Sequence, residues 1–160
     1  MFRYIFMIYL FNKTLLTSTL KTHIYTLELI NSKYYVGKTI KNVQTRFEQH
    51  LNIPIIGRIG RKGRTNKIIS SAWTRLYPPI KIIDSFESVN KFDEDLQTKK
   101  MMDLYGIENV RGGSYCNIVL HDWQIKALNA ELATCNNLCF CCGKSGHFAY
   151  ACTNKQKFSK

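Results

Sequence analysis

Cys139, Cys142, His147 and Cys152 follow one another at the spacing C-x2-C-x4-H-x4-C. Three thiolates and one imidazole make a closed tetrahedral donor set for structural Zn²⁺, and Gly143 and Gly146 permit the tight loop that folds them around one ion. So short a segment has no core without metal, so binding the ion would also fold it. Four of the six cysteines fall between 139 and 152 beside a histidine, which reads as metal ligation in a reducing, intracellular compartment and not as a secreted disulfide framework. Cys116, Cys135 and Cys141 remain over; Cys141 breaks the x2 spacing and reads as a spare thiol.

A second set of chemical groups lies in residues 23–50. Tyr25, Leu27 and Leu29 alternate with Thr26 and Glu28, the period of a half-buried strand, and Asn31-Ser32 is turn chemistry before Lys33-Tyr34-Tyr35-Val36. Gly37 marks a sharp exit. Val43, Phe47 and Leu51 then recur every fourth residue, which predicts a helix carrying Arg46 and His50 together on a neighbouring face. Taken alone, strand tyrosines pack and a helical histidine sits on a surface.

These residues resemble the GIY-YIG nuclease family. His23-Ile24-Tyr25 stands at the first motif, with histidine for the leading glycine, and Tyr35-Val36-Gly37 at the second, with valine for isoleucine; Arg46 and His50 follow as RxxxH. The phrase SAWTRLYPPIKII at 71–83, the stretch Asn109 to Tyr115 and the run Asn117-Ile118-Val119-Leu120 are similar to members carried by large DNA viruses. The cysteine segment is similar to the retroviral-type zinc knuckle at every ligand, with Phe140 after the first cysteine and Phe148 after the histidine.

Phosphodiester hydrolysis requires a base for water, positive charge against the transition state and help for the departing 3′ oxygen. The resemblance implies Tyr25 as general base, Tyr35 as a group orienting water or phosphate, and Arg46 as the stabiliser of the pentacovalent phosphorus. His50 would bind phosphate or assist proton transfer, and Asn117 would support the site by hydrogen bonding. A phenol ionises near pH 10, so it needs cationic neighbours, for which Lys38 and Arg46 stand nearest in sequence, or a metal ion. The family's metal-binding glutamate falls, by counting back from Tyr105, on Thr98, which cannot replace an anionic ligand. Glu94, one turn earlier on the same face, is the candidate ligand for one Mg²⁺ or Mn²⁺, with Asp95 as the substitute; helix-dipole compensation is the competing explanation for both. In the knuckle, Phe140 and Phe148 would stack on unpaired bases of single-stranded or structured nucleic acid while Lys144, Lys155, Lys157 and Lys160 contact phosphate.

The elements that must position these groups are legible in part. From Leu51 to Ile83 no residue is acidic, and Gly57, Gly60 and Gly63 interleave with Arg58, Arg61, Lys62 and Arg64, a flexible basic loop suited to a phosphate backbone or else merely solvated. Ile68, Ile69, Ala72, Trp73 and Leu76 lie at helical spacings, with Trp73 as core or base platform, and Pro78-Pro79 ends that helix before a strand over 80–86. A helix from Phe92 to Tyr105 has Asn90 as its cap, Asp93, Glu94 and Asp95 in its first turn, and Gly106 as its stop. Asp122 caps a last helix whose Ile125, Leu128 and Leu132 form an apolar stripe.

With 160 residues, 45% of them hydrophobic and 21% charged, the chain has room for one domain and an appendage. A net charge of +12 favours a polyanionic partner, with nucleic acid, DNA above all, preferred to a membrane. Residues 1–11 have the look of a signal-peptide core but are too short to span a bilayer, and read as an extension external to the family, translated from a start upstream of Met7. The expected organisation is an α/β (α+β) fold with a small mixed three-stranded sheet. It comprises an extension at 1–20, a nuclease domain at 21–132, a linker at 133–138, the knuckle at 139–152 and a basic tail at 153–160. The function implied is metal-dependent endonucleolytic cleavage of DNA inside a cell, in the nucleus or cytoplasm of the host if the chain is viral. The alternative is a nucleic-acid-binding protein whose nuclease site has decayed, a reading favoured by Thr98 and His23.

Overall fold

The computed structural model describes residues 21–51 and 70–154. Arg58, Arg61, Lys62 and Arg64, with their interleaved glycines, lie outside the described residues, as do the extension at 1–20, Ile68 and Ile69, and Lys155, Lys157 and Lys160.

Two antiparallel strands, β1 (His23–Leu29) and β2 (Lys33–Thr39), are joined by a 3₁₀ turn, Ile30–Ser32. Asn31 and Ser32 sit at φ 59° and 52°. Asn tolerates that left-handed backbone well, which is why turn chemistry falls at this point. Helix α1 (Val43–Leu51) follows, then a short α2 (Ala72–Leu76), β3 (Pro79–Glu87), α3 (Asp93–Tyr105), β4 (Val110–Gly112) and α4 (Asp122–Cys135). The strand order is β3-β1-β2-β4; β3 pairs antiparallel with β1, and β4 parallel with β2. The sheet thus has four strands, not the three expected. β4 is only Val-Arg-Gly, too short to show alternation, and its pairing is decided by the chain returning along β2.

Each side of the sheet buries its own apolar cluster. Ile24, Val36 and Val110 pack with Met101 and Met102 of α3 and Leu128 of α4, with Ile125 and Leu132 at the edge, so the α4 stripe is packing. On the opposite face Tyr25, Leu27 and Leu29 meet Trp73 of α2, with Val43 and Phe47 of α1 beside them. Strand alternation sends Ile24 and Tyr25 to opposite faces, so the same strand serves two cores. Trp73 belongs to the core, 3% exposed, and its indole N–H donates to the Tyr34 carbonyl at 3.0 Å. The Arg111 guanidinium lies over its ring at 4.6 Å and donates to the carbonyls of Ile107, Val110, Asn117 and Ile118.

Several boundaries differ from the expectation. The strand over 80–86 extends by one residue at each end, starting at a proline on the sheet's edge, where no ladder donor is needed. Helix α3 begins at Asp93, not Phe92, and Asn90 is not its cap: Asn90 Oδ1 accepts from the Phe92 N–H while Asp93 Oδ2 accepts from the N–H groups of Val89 and Asn90. For α4 the cap is His121, not Asp122, with Gln124 closing a reciprocal box. This helix runs to Cys135 and takes in Ala133 to Cys135 of the expected linker, because helical hydrogen bonding continues to Asn136, whose N–H reaches the Leu132 carbonyl at 3.0 Å. Among the described residues no helix is long and apolar enough to cross a membrane.

Candidate active site

The hairpin register places Tyr25 directly opposite Gly37. A β-carbon on Gly37 would lie 2.5 Å from the Tyr25 hydroxyl and 2.8 Å from the Tyr35 ring, so the absence of a side chain here lets both phenols lie across the strand. Helix α1 supplies the rest. Val43 and Phe47 pack inward as predicted, but Leu51 is 48% exposed, and His50 is the fully buried residue of the last turn. The inward positions are therefore i, i+4 and i+7, the ordinary geometry of a helix face, and His50 lies on that face and not beside it.

Five side chains meet as a result. The Tyr25 hydroxyl lies 2.9 Å from His50 Nε2 and accepts from Arg46 Nε at 3.2 Å. Tyr35 and His50 meet edge to face, with ring centroids 5.4 Å apart. His50 Nδ1 is 3.0 Å from the Thr74 hydroxyl of α2. Both ring nitrogens of His50 are thus engaged within the protein, and the residue is fully buried. Neither Ser71 nor Thr74 was singled out as functional in the sequence. The available signal was the Ser71-x-x-Thr74 spacing at a helix start, where Ser71 Oγ accepts from the Thr74 N–H at 3.1 Å.

Burial governs the electrostatics. It pushes the Tyr25 phenol above its ordinary value; Arg46 pulls the other way, and Glu94 adds negative charge that raises it further. Tyr35 is pushed up still more strongly, by burial first and then by Tyr25 and Glu94. His50 is lowered to about 4, by burial and then by the Arg46 charge. Both tyrosines are thus protonated and His50 neutral at pH 7.

Glu94 opens from the first turn of α3 onto a cleft of about 670 Å³ between strand ends and the 87–91 turn, lined also by Lys21, Lys38 and Lys91. Its carboxylate is 17% exposed and lies 3.4 Å from Lys38 Nζ, so Lys38 is a partner of Glu94. Thr98 is fully buried, its hydroxyl donating to the Glu94 carbonyl at 2.7 Å, and it faces Gly112, where an added β-carbon would come within 2.6 Å of Thr98 Oγ1. A carboxylate at 98 would be an enclosed charge. Asp95 is committed elsewhere: it accepts from the Ser114 N–H at 2.7 Å and the Ser114 hydroxyl at 2.8 Å. Asn117 is exposed, and its backbone carbonyl accepts from Arg111 Nε at 2.8 Å. As donors for a hard divalent cation, the partly open carboxylate of Glu94 fits and the hydroxyl of Thr98 does not.

At the other end of the chain, Cys139, Cys142, His147 and Cys152 bring their ligand atoms within 4.8 Å of one another, a donor set that fits zinc. Gly143 and Gly146, at φ 71° and 86°, make the turn. Burial works against the Cys139 thiolate, but the N–H groups of Cys141 and Cys142 and the neighbouring thiols draw it down to about 6. Phe140 and Phe148 are 57% and 61% exposed, Tyr150 stacks on Phe148, and Lys144 is exposed.

A mixed sheet that holds phenol, guanidinium and imidazole in one cluster, with a carboxylate on the next helix, fits a hydrolase acting on a phosphate ester. Residues 21–93 match the family model of the GIY-YIG catalytic domain. The match implies a nucleic-acid substrate, and nucleases of that family use divalent metal ions. No curated protein and no solved structure matches the chain.

Proposed function

We propose that the protein is a metal-dependent endonuclease of DNA, with a nuclease module from residue 21 through α4 and a zinc knuckle at 139–152 that holds single-stranded or structured nucleic acid near the site. The observation that carries this reading is the Tyr25 hydroxyl held between Arg46 Nε and His50 Nε2. Tyr25 takes the proton of the attacking water as its own phenol proton moves to His50 Nε2, a concerted relay that avoids the buried phenolate which burial disfavours. Arg46 stabilises the charge on phosphorus, while Tyr35 orients water or phosphate. Glu94 would hold one Mg²⁺ or Mn²⁺, which supplies positive charge for the departing 3′ oxygen. The exposed rings of Phe140 and Phe148 suit stacking on unpaired bases, with Lys144 near the phosphates.

Purified protein incubated with duplex, single-stranded and branched DNA in Mg²⁺, Mn²⁺ or EDTA tests this directly. Cleavage abolished by both EDTA and Arg46→Ala supports it. The Glu94 assignment is wrong if Glu94→Ala cleaves normally while Asp95→Ala does not. A second reading, binding without cleavage, draws on the Lys38 ammonium already neutralising Glu94 at 3.4 Å. Salt-sensitive binding with no metal-dependent product on any substrate would establish it.

A further inference from the structure

The N-cap and first turn of α2 reach the two tyrosines by hydroxyl groups, Ser71 beside Tyr35 and Thr74 through His50 to Tyr25. Thr74 Oγ1 is fully buried and lies 3.0 Å from His50 Nδ1. It also lies 3.2 Å from the Ser71 carbonyl, which can only accept, and 3.1 Å from Ser71 Oγ. The Ser71 hydroxyl in turn neighbours the Tyr35 phenol.

These contacts admit one tautomer of His50 in which every buried proton has a partner. Arg46 Nε is always a donor, so the Tyr25 oxygen accepts there. Were His50 Nε2 also to donate to that oxygen, the phenol proton of a tyrosine 1% exposed would have no acceptor in this set. Tyr25 therefore donates to Nε2, and His50 carries its proton on Nδ1. The Nδ1–H needs an acceptor, which is Thr74 Oγ1, whose own proton goes to the Ser71 carbonyl.

We propose that Thr74 is a positioning residue that fixes the tautomer of His50, keeping the Nε2 lone pair aimed at the Tyr25 hydroxyl. This rests on the nuclease reading above. The partner of one imidazole nitrogen decides which atom presents the lone pair, so a hydroxyl far from the phosphate controls whether Tyr25 can release its proton. As the proton of the attacking water forms a new bond to the Tyr25 oxygen, the original Tyr25 O–H bond breaks, an Nε2–H bond forms, and the resulting imidazolium keeps its Nδ1–H on Thr74.

The test is ¹⁵N NMR of imidazole-labelled full-length protein, with the His50 signals identified by their loss in His50→Gln. Wild type and Thr74→Ser should show the Nδ1–H tautomer; Thr74→Val, of the same shape without the hydroxyl, should shift to Nε2–H. Cleavage by Thr74→Val should fall on the order of 10²-fold in kcat with little change in KM, and Thr74→Ser should restore it. Nε2–H in the wild type overturns the proposal even if Thr74→Val does not fold. So does an unchanged tautomer in Thr74→Val, or a changed one with undiminished cleavage by an active enzyme. The tautomer changing as stated in a protein that cleaves nothing would leave the control by Thr74 standing and sink the nuclease reading instead.

Discussion

Replacing Gly37 by alanine should damage the site without touching any of its polar groups. Gly37 pairs with Tyr25 in β2, within extended backbone, so alanine brings no conformational strain and the effect is purely steric. The new β-carbon would lie 2.5 Å from the Tyr25 hydroxyl, 2.7 Å from its Cζ and 2.8 Å from the Tyr35 ring. Tyr25 is 1% exposed and cannot swing clear. Restoring ordinary contact, which begins at 3.4 Å, demands about 1 Å of movement, and misplacement on that scale costs on the order of 10²-fold in rate. The hydroxyl holds bonds of 2.9 Å to His50 and 3.2 Å to Arg46, so it would lose at least one of them. Over-packing should also lower stability by ~1–3 kcal/mol. Urea denaturation reads the second effect and initial rates of DNA cleavage the first, the loss falling mainly on kcat because the displaced phenol acts on the attacking water. A variant with an unchanged denaturation midpoint that cleaves within about twofold of wild type would show that Tyr25 is not pinned against Gly37, and would refute the reasoning.

His50, lowered from 6.5 to about 4 in the folded chain, binds fewer protons than in the unfolded chain between those values. Stability should therefore be unaffected by this group above about pH 6.5 and fall as pH drops toward 4, a slope that denaturant titrations at several pH values should find reduced in His50→Gln. Thr98→Glu, which restores a carboxylate where the family's glutamate was sought, should not improve cleavage. It should destabilise by ~3–5 kcal/mol, since the charge would be enclosed against Gly112, and a stable, more active variant would refute the placement of Glu94. Cys142→Ser should remove one zinc ion per chain by elemental analysis and abolish amide protection at 139–152 while leaving β1 and β2 protected; a knuckle still protected without zinc would refute the metal's structural role.

The knuckle was legible because its ligands lie within one short loop, so spacing alone limits how they can meet. The hairpin was legible for a related reason: strand alternation and a turn are local properties, and they place Tyr25 and Tyr35 on one face of adjacent strands. What the sequence could not determine was which contacts form between elements distant along the chain. The inward turn of His50 depends on α1 lying over Tyr25 and Tyr35, and its partner Thr74 comes from a helix 24 residues further on. The choice among Glu94, Asp95 and Thr98 was equally tertiary. Helical spacing makes them neighbours, but only the packing of α3 against β2 and β4 buries Thr98, ties Asp95 to Ser114 and leaves Glu94 facing the cleft. The fourth strand escaped for the same reason, since three residues carry no periodicity and β4 exists only because β2 offers an edge. Sequence by itself thus determined the residue types and the local geometry of zinc loop and hairpin; the tertiary structure decided which of those groups share a buried hydrogen bond.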